Sequence, residues 1–282
     1  MVLFGLVACD PQPEGPGGAP SDTTTYRPGD VPTHPGPRCD TVFEVGGFQF
    51  KMILVESGSF YMGADPAPSS QHFDAEAASN EAPVHLVTLS PYLLAECEVP
   101  QALFLAVMGF NPSTSKDLFL PVETVSMTTA LRFIDSLRAW TGFDFRLPTE
   151  AEWEFAARGG RNGSNYRFSG SDTADLVGWF NENSEGMTHL IRGRRANALG
   201  FYDMSGNVNE WCSDWYTVYT SSPQVDPQGS DKPDIATYQK HAVRGGAYDD
   251  YAFSLRNCAR QFQFASYEGP DVGFRLALSC RQ

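Results

Sequence analysis

Two adjacent carboxylates, Asp249 and Asp250, end the glycine-led run Gly245-Gly246-Ala247-Tyr248. Two close acids can hold a cation, or share acid and base roles when repulsion separates their pKa values. The plainer reading is a loop acid facing water or closing an Asx-type turn. Five histidines, His34, His72, His85, His189 and His241, are the candidate imidazole ligands. No two are four residues apart, so no helix can present a pair of them to one metal. Six cysteines, Cys9, Cys39, Cys97, Cys212, Cys258 and Cys280, are the candidate thiols.

Short elements must position these groups. Residues 42–50 read as a hairpin turning at Gly46-Gly47, with a second strand running on to Val55. Residues 59–62 and 85–89 read as further strands, and the polar stretch between them as a surface loop. Three helices are expected. The first covers 100–108, with Pro100 in the first turn and Gly109 after the end. The second covers 128–141, with Leu131, Ile134, Leu137 and Trp140 taken as its apolar face. The third covers 150–158, where Thr149 and Glu152 form a T-x-x-E capping box and Gly159-Gly160 stops the helix. Beyond residue 160 the chain reads as irregular loops with short strands near 242–245 and 273–278.

The chain has 282 residues, 41% of them hydrophobic, 19% charged and 13% aromatic, which fits a folded domain with large core side chains. The formal net charge of -14 argues against a nucleic-acid partner, since phosphate binding needs a basic face. Residues 1–9 are apolar and too few to span a bilayer. Leu6-Val7-Ala8-Cys9 resembles a bacterial lipobox, in which the cysteine thiol receives a lipid; the absence of a basic segment ahead of it places the true start upstream of Met1. Residues 10–38 are rich in Pro, Gly, Ser and Thr and cannot bury enough apolar area to offset their ordering entropy, so they read as a tether. Residues 39–282 form the expected domain, and the location that follows is the bacterial cell envelope, lipid-anchored in the periplasm or on the outer surface.

Four stretches carry a specific resemblance: RLPTEAEWEFAARGG (146–160), LGFYDMSGNVNEWCSDWY (199–216), VRGGAYDD (243–250) and GFRLA (273–277). Their order and spacing resemble the formylglycine-generating-enzyme, or sulfatase-modifying-factor, family. The resemblance covers about residues 45–279. It implies an α+β fold: a single compact domain, C-type-lectin-like, with little regular secondary structure. Members of the family differ in function, so the fold alone does not fix an activity.

The family's oxidase holds copper on two cysteines in a G-G-S-Y/W-x-C-x4-C arrangement, and soft thiolates suit Cu(I). Here those positions fall on Asp250 and Leu255, so copper and formylglycine formation are not expected. The iron-dependent branch uses an H-x3-H-x-E triad that this chain lacks. The resemblance does imply calcium, with carboxylates from Asp203 and Glu210 and backbone carbonyls from Gly206 and Val208; calcium favours six to eight such hard oxygens. The bland alternative is that both acids are solvated or pair with an arginine. A second calcium loop of the family looks shortened between Trp179 and Asn197. Trp153, Trp211 and Trp215 read as core or groove aromatics, and Arg244 and Arg275 as partners of buried acids or carbonyls.

With Cys9 lipidated, the packing of two family motifs implies a Cys212–Cys258 disulfide. Cys39 and Cys280 bracket the domain and could staple its ends, leaving Cys97 as a buried thiol. Connectivity does not follow from sequence alone. Two functions compete: a non-catalytic binding or assembly module for a peptide, glycan or envelope protein, and an enzyme of altered metal chemistry acting on a protein or peptide through Asp249 and Asp250.

Overall fold

The computed structural model describes residues 39–229 and 240–280, together with two short paired strands ahead of them, β1 (Phe4–Leu6) and β2 (Thr24–Tyr26). Cys9, most of the tether and the terminal Arg281 and Gln282 lie outside the described residues.

The expected hairpin forms as β3 (Thr41–Val45) and β4 (Phe48–Val55), turning through Gly46 and Gly47 at positive φ. β4 pairs with β7 (Tyr92–Ala95), β7 with β14 (Ala277–Ser279), and β14 with β8 (Phe145–Arg146), giving a five-stranded sheet ordered β3-β4-β7-β14-β8. Successive side chains of a strand point to opposite faces. Met52, Leu93, Leu276 and Leu278 therefore enter one core, while Ile53, Tyr92, Leu94 and Ala277 enter another.

Helices cover both faces. α1 (Gln101–Met108) and α2 (Met127–Thr141) contribute Leu103, Phe104, Phe133 and Ile134 to the first core. α3 (Glu150–Ala157) is buried along its whole length and brings Trp153, Phe155 and Ala156 to the second. Its capping box forms as expected: Thr149 Oγ1 accepts from the Glu152 amide, and the Glu152 carboxylate accepts from the Thr149 amide at 2.9 Å. The face expected for α2 is corrected. Leu131 and Trp140 are 46% and 39% exposed, and the buried stripe is Ala130, Phe133, Ile134 and Leu137. A strict three-residue step drifts around a helix of 3.6 residues per turn, whereas the i, i+3, i+4, i+7 set stays on one side.

The remaining sheets frame the candidate site. β5 (Gly58–Met62), β6 (His85–Leu89) and β10 (Gln224–Val225) form a three-stranded sheet. β9 (Asn209–Trp215) lies between β11 (Lys240–Arg244) and β13 (Val272–Gly273), with β12 (Gln261–Phe264) outside β11. A short α4 (Ala174–Val177) packs Ala174 and Val177 with Phe168, Phe180 and Leu255 in a third cluster. No helix among the described residues is long and apolar enough to cross a membrane.

Candidate functional site

The segment 203–210 folds as a tight loop running into β9, and Asp203, Gly206, Val208 and Glu210 are all buried in it. Gly206 has φ +92, and a Cβ there would meet the Trp179 carbonyl oxygen at 2.1 Å, so glycine is required for the turn. Glu210 carries no exposed surface. Its carboxylate takes both arms of Arg275 and the Trp153 indole N–H at 2.7 Å. The arginine partner weighed against calcium is therefore present at Glu210. Asp203 differs. Its Oδ2 accepts from the Arg192 amide at 2.6 Å, while its Oδ1 is buried without a partner. Burial, with the Glu210 charge beside it, pushes the Asp203 carboxyl up to about 6.

Sequence reasoning missed Glu98, which completes this cluster. It is 1% exposed and accepts from the Val208 amide and the Asn207 side chain; burial and the charges of Asp203 and Glu210 raise its pKa. Three buried carboxylates thus share the buried Arg275, and one carboxylate oxygen is left open. Among the described residues no three acids, histidines or cysteines converge as a ready-made metal group. A hard cation entering this loop would meet Asp203 Oδ1, the carboxylate oxygen left without a partner. Between Trp179 and Asn197, His189 stacks on the Trp179 indole with ring centres 3.7 Å apart, and Arg194 lies 3.6 Å from the indole ring centre.

Arg244 meets the expectation of a buried acid partner. It is fully buried and pairs with Glu154, donating as well to the Ala259 carbonyl. Trp153 and Trp211 are core side chains, each with its indole N–H satisfied, by Glu210 and by the Val125 carbonyl.

At the position of the family's thiol pair, Asp250 and Leu255 do different work. Leu255 is fully buried in the third cluster. Asp250 Oδ2 accepts from the Ala247 amide at 3.0 Å, Gln261 Nε2 at 3.2 Å and Asn209 Nδ2 at 3.4 Å, so this carboxylate ties the turn to β12 and β9. Asp249 is exposed, and burial by its neighbours together with the charges of Asp271 and Asp250 raises its pKa. The two acids are held apart in role: one fastens the turn, the other faces solvent beside Asp271.

The Cys212–Cys258 expectation is corrected, because both residues are buried thiols. Cys212 lies in the second apolar core. Cys258 lines a separate cleft of ≈ 520 Å³ with His72, Phe73, Asp74 and Arg158. Its Sγ accepts from Arg256 at 3.3 Å and faces Asp74 at 3.8 Å, and burial pushes the thiol up to about 12. The expected Cys39–Cys280 staple fails on sheet order. Cys39 precedes β3 and Cys280 follows β14, with β4 and β7 between those strands. Three strand spacings amount to ~14 Å, about twice the Cα separation a disulfide allows. Cys97 is a buried thiol, its pKa raised by burial.

Comparison with known proteins agrees with this architecture. Residues 48–280 match the family described as the sulfatase-modifying factor enzyme 1-like domain. The chain is 30% identical over 216 residues to the chaperone protein LppX of Paenibacillus barcinonensis, covering 59% of this chain and 72% of that one. It is 35% identical over 175 residues to a formylglycine-generating enzyme of Streptomyces coelicolor, covering 56% of this chain and 52% of the enzyme, so the match spans about half the enzyme's length. Among solved structures, the Treponema denticola variable protein 1 superposes with a TM-score of 0.74 at 28% identity, over 86% of this chain and 99% of that one. The motifs, the mixed α+β sheets and these matches place the chain in the formylglycine-generating-enzyme (sulfatase-modifying factor) family, with that family's single compact, C-type-lectin-like domain.

Proposed function

We propose that this domain is a non-catalytic binding or assembly module of its family, held at the cell envelope through a lipid on Cys9. The observation that carries the reading is the chemistry at Asp250 and Leu255. A carboxylate spent on three hydrogen bonds and a fully buried leucine supply no thiolate pair for Cu(I). Cys258 does not replace them, because its thiol lies in another cleft and is held protonated by burial. The similarity to a protein named a chaperone supports a binding role over an oxidative one. The lipid attachment rests on Leu6-Val7-Ala8-Cys9 and the tether that follows.

The test is direct. The purified protein, with and without added copper, is incubated with a cysteine peptide of the sulfatase type, and the peptide mass is read. No aldehyde product is expected; conversion of the cysteine to formylglycine overturns the reading.

Calcium belongs to the same proposal as a structural ion. The loop offers the open Asp203 Oδ1, the Gly206 and Val208 carbonyls and the remaining lone pair of Glu210, beside a surplus of buried negative charge. Calcium bound only to the folded state raises its stability by mass action. Melting after EDTA dialysis should therefore give a lower Tm that calcium restores, and Asp203→Ala should abolish the response. An unchanged Tm in the wild-type protein removes calcium from the description.

A further inference from the structure

The end of β9 and the loop after it help to line a cavity of ≈ 450 Å³. Asp214, Trp215, Val218 and Tyr219 come from that stretch, and Gly229 from the chain after β10. The Glu150–Arg260 ion pair lines it as well. The cavity shares no lining residue with the Asp250 turn or with the loop from Asp203 to Glu210. We propose that it binds an organic ammonium ion, with the charged head on Asp214 and the apolar body against the rings and aliphatic side chains beside it. The proposal goes beyond the binding-module reading and stands whether or not the domain is catalytic.

Three observations carry it. The first is the Asp214 carboxylate. The residue is 6% exposed, and its Oδ2 accepts from the Glu150 amide at 2.9 Å and the Ser213 hydroxyl at 3.1 Å. Among the described residues no donor reaches Oδ1 and no cation pairs with the carboxylate. A buried carboxylate without a cation is costly, and a ligand that brings a positive N–H donor offsets that cost. The second is the space beside Oδ1. Oδ2 faces the start of α3, whereas Oδ1 faces Gly229: a Cβ built on this glycine would sit 2.9 Å from Oδ1 and 2.8 Å from the Asp214 Cβ. Both residues line the cavity, so the glycine leaves Oδ1 uncrowded on the cavity side. The third is the rest of the lining. Trp215 and Tyr219 supply rings, and Val218 and Val225, 83% and 73% exposed, supply aliphatic surface that solvent reaches. Rings and aliphatic side chains beside one open carboxylate suit the body and head of an amine.

The same lining selects against other ligands. Arg260 offers no anion site, because it already donates to both oxygens of Glu150 and to the Asn80 and Thr217 carbonyls. Among the described residues no three acids, histidines or cysteines converge to hold a metal ion, and calcium asks for six to eight oxygens. A neutral ligand of the same shape would leave the Asp214 charge unpaired. The volume of ≈ 450 Å³ lies within the range of small-molecule sites, about 300–1,000 Å³.

Isothermal titration calorimetry on the full chain tests this near pH 8, above the value of about 7 to which burial and the Glu150 charge push the Asp214 carboxyl. The probes are phenethylamine, a cation at that pH as lysine is, the neutral phenethyl alcohol and the anionic hydrocinnamate. The amine alone should bind saturably. Equal binding of the alcohol, or no saturable amine binding by ~10 mM, overturns the proposal. Asp214→Asn, which keeps an acceptor for the Glu150 amide, should weaken the amine by about tenfold. A folded Asp214→Asn protein of unchanged affinity overturns the proposal. Val218→Lys, at an exposed position, puts a competing cation into the lining and should weaken the amine similarly, which decides the matter if Asp214→Asn fails to fold. The control Gln49→Lys, at an exposed position outside the lining, should bind like the wild type. A loss there equal to that of Val218→Lys overturns the site in favour of diffuse attraction to an acidic chain. Nα-acetyl-lysinamide distinguishes the sources: tighter binding than phenethylamine assigns the ammonium to a peptide lysine, weaker binding to a free amine. Aldehyde formation in the peptide assay above overturns the module reading and leaves this site standing.

Discussion

Buried acids on this chain have different fates according to the cations beside them. Glu150 is fastened by both arms of Arg260 at 2.7 and 2.8 Å, and Glu154 lies between Arg158 and Arg244, so both titrate below the usual range despite burial. Asp214 pairs with no arginine among the described residues. It accepts from the Glu150 amide at 2.9 Å and from Ser213, and burial plus the Glu150 charge push it up to about 7. The sign of its contribution follows. Its folded-state pKa exceeds the unfolded value near 3.9, so the folded state binds more protons between the two. That stability is fully present below about 4 and is lost as pH rises through about 7. The Tm difference between pH 5 and pH 8 should therefore shrink in Asp214→Asn relative to wild type. An unchanged difference would show that Asp214 is not the group responsible.

The elements teach a lesson about periodicity. α3 was legible because its signal is local: a T-x-x-E box and a Gly-Gly stop specify a start and an end without reference to the rest of the chain. The face of α2 was not, since leucine and tryptophan at three-residue steps offered a plausible stripe, and only packing against Phe104 and Phe274 selects Phe133 instead. Leu131→Ala should change stability by less than about 0.5 kcal/mol, while Ile134→Ala should cost ~2–5 kcal/mol through the cavity it leaves. Chemical denaturation of both variants checks the assignment; comparable losses would restore the stripe read from sequence. β7 and β9 were also missed as strands. β7 is buried throughout and β9 over its first four residues, and a short strand covered on both sides carries no period-2 signal.

At the scale of the whole molecule, stability rests on two apolar cores divided by one sheet and on buried arginine–carboxylate pairs, without the Cys212–Cys258 bridge the family motifs implied. Alkylation tests this. In the absence of reductant, Cys97, Cys212 and Cys258 should resist a thiol reagent in the native protein and react after unfolding in guanidinium. Mass spectrometry that finds Cys212 and Cys258 joined after unfolding without reductant would reinstate the bridge.

The family, the α+β class, the three helices and the absence of a thiol pair at Asp250 and Leu255 were all written in the chain. These follow from residue identity and from spacing within a few positions, which tertiary context does not alter. Sequence could not say that Asp249 and Asp250 diverge, that Glu98 joins Asp203 and Glu210, that Arg275 occupies Glu210, or that Asp214 is buried against the start of α3 without a cation. Each of those depends on contacts between segments tens to more than a hundred residues apart, and burial, which sets their charge states, exists only once the sheets have closed over them.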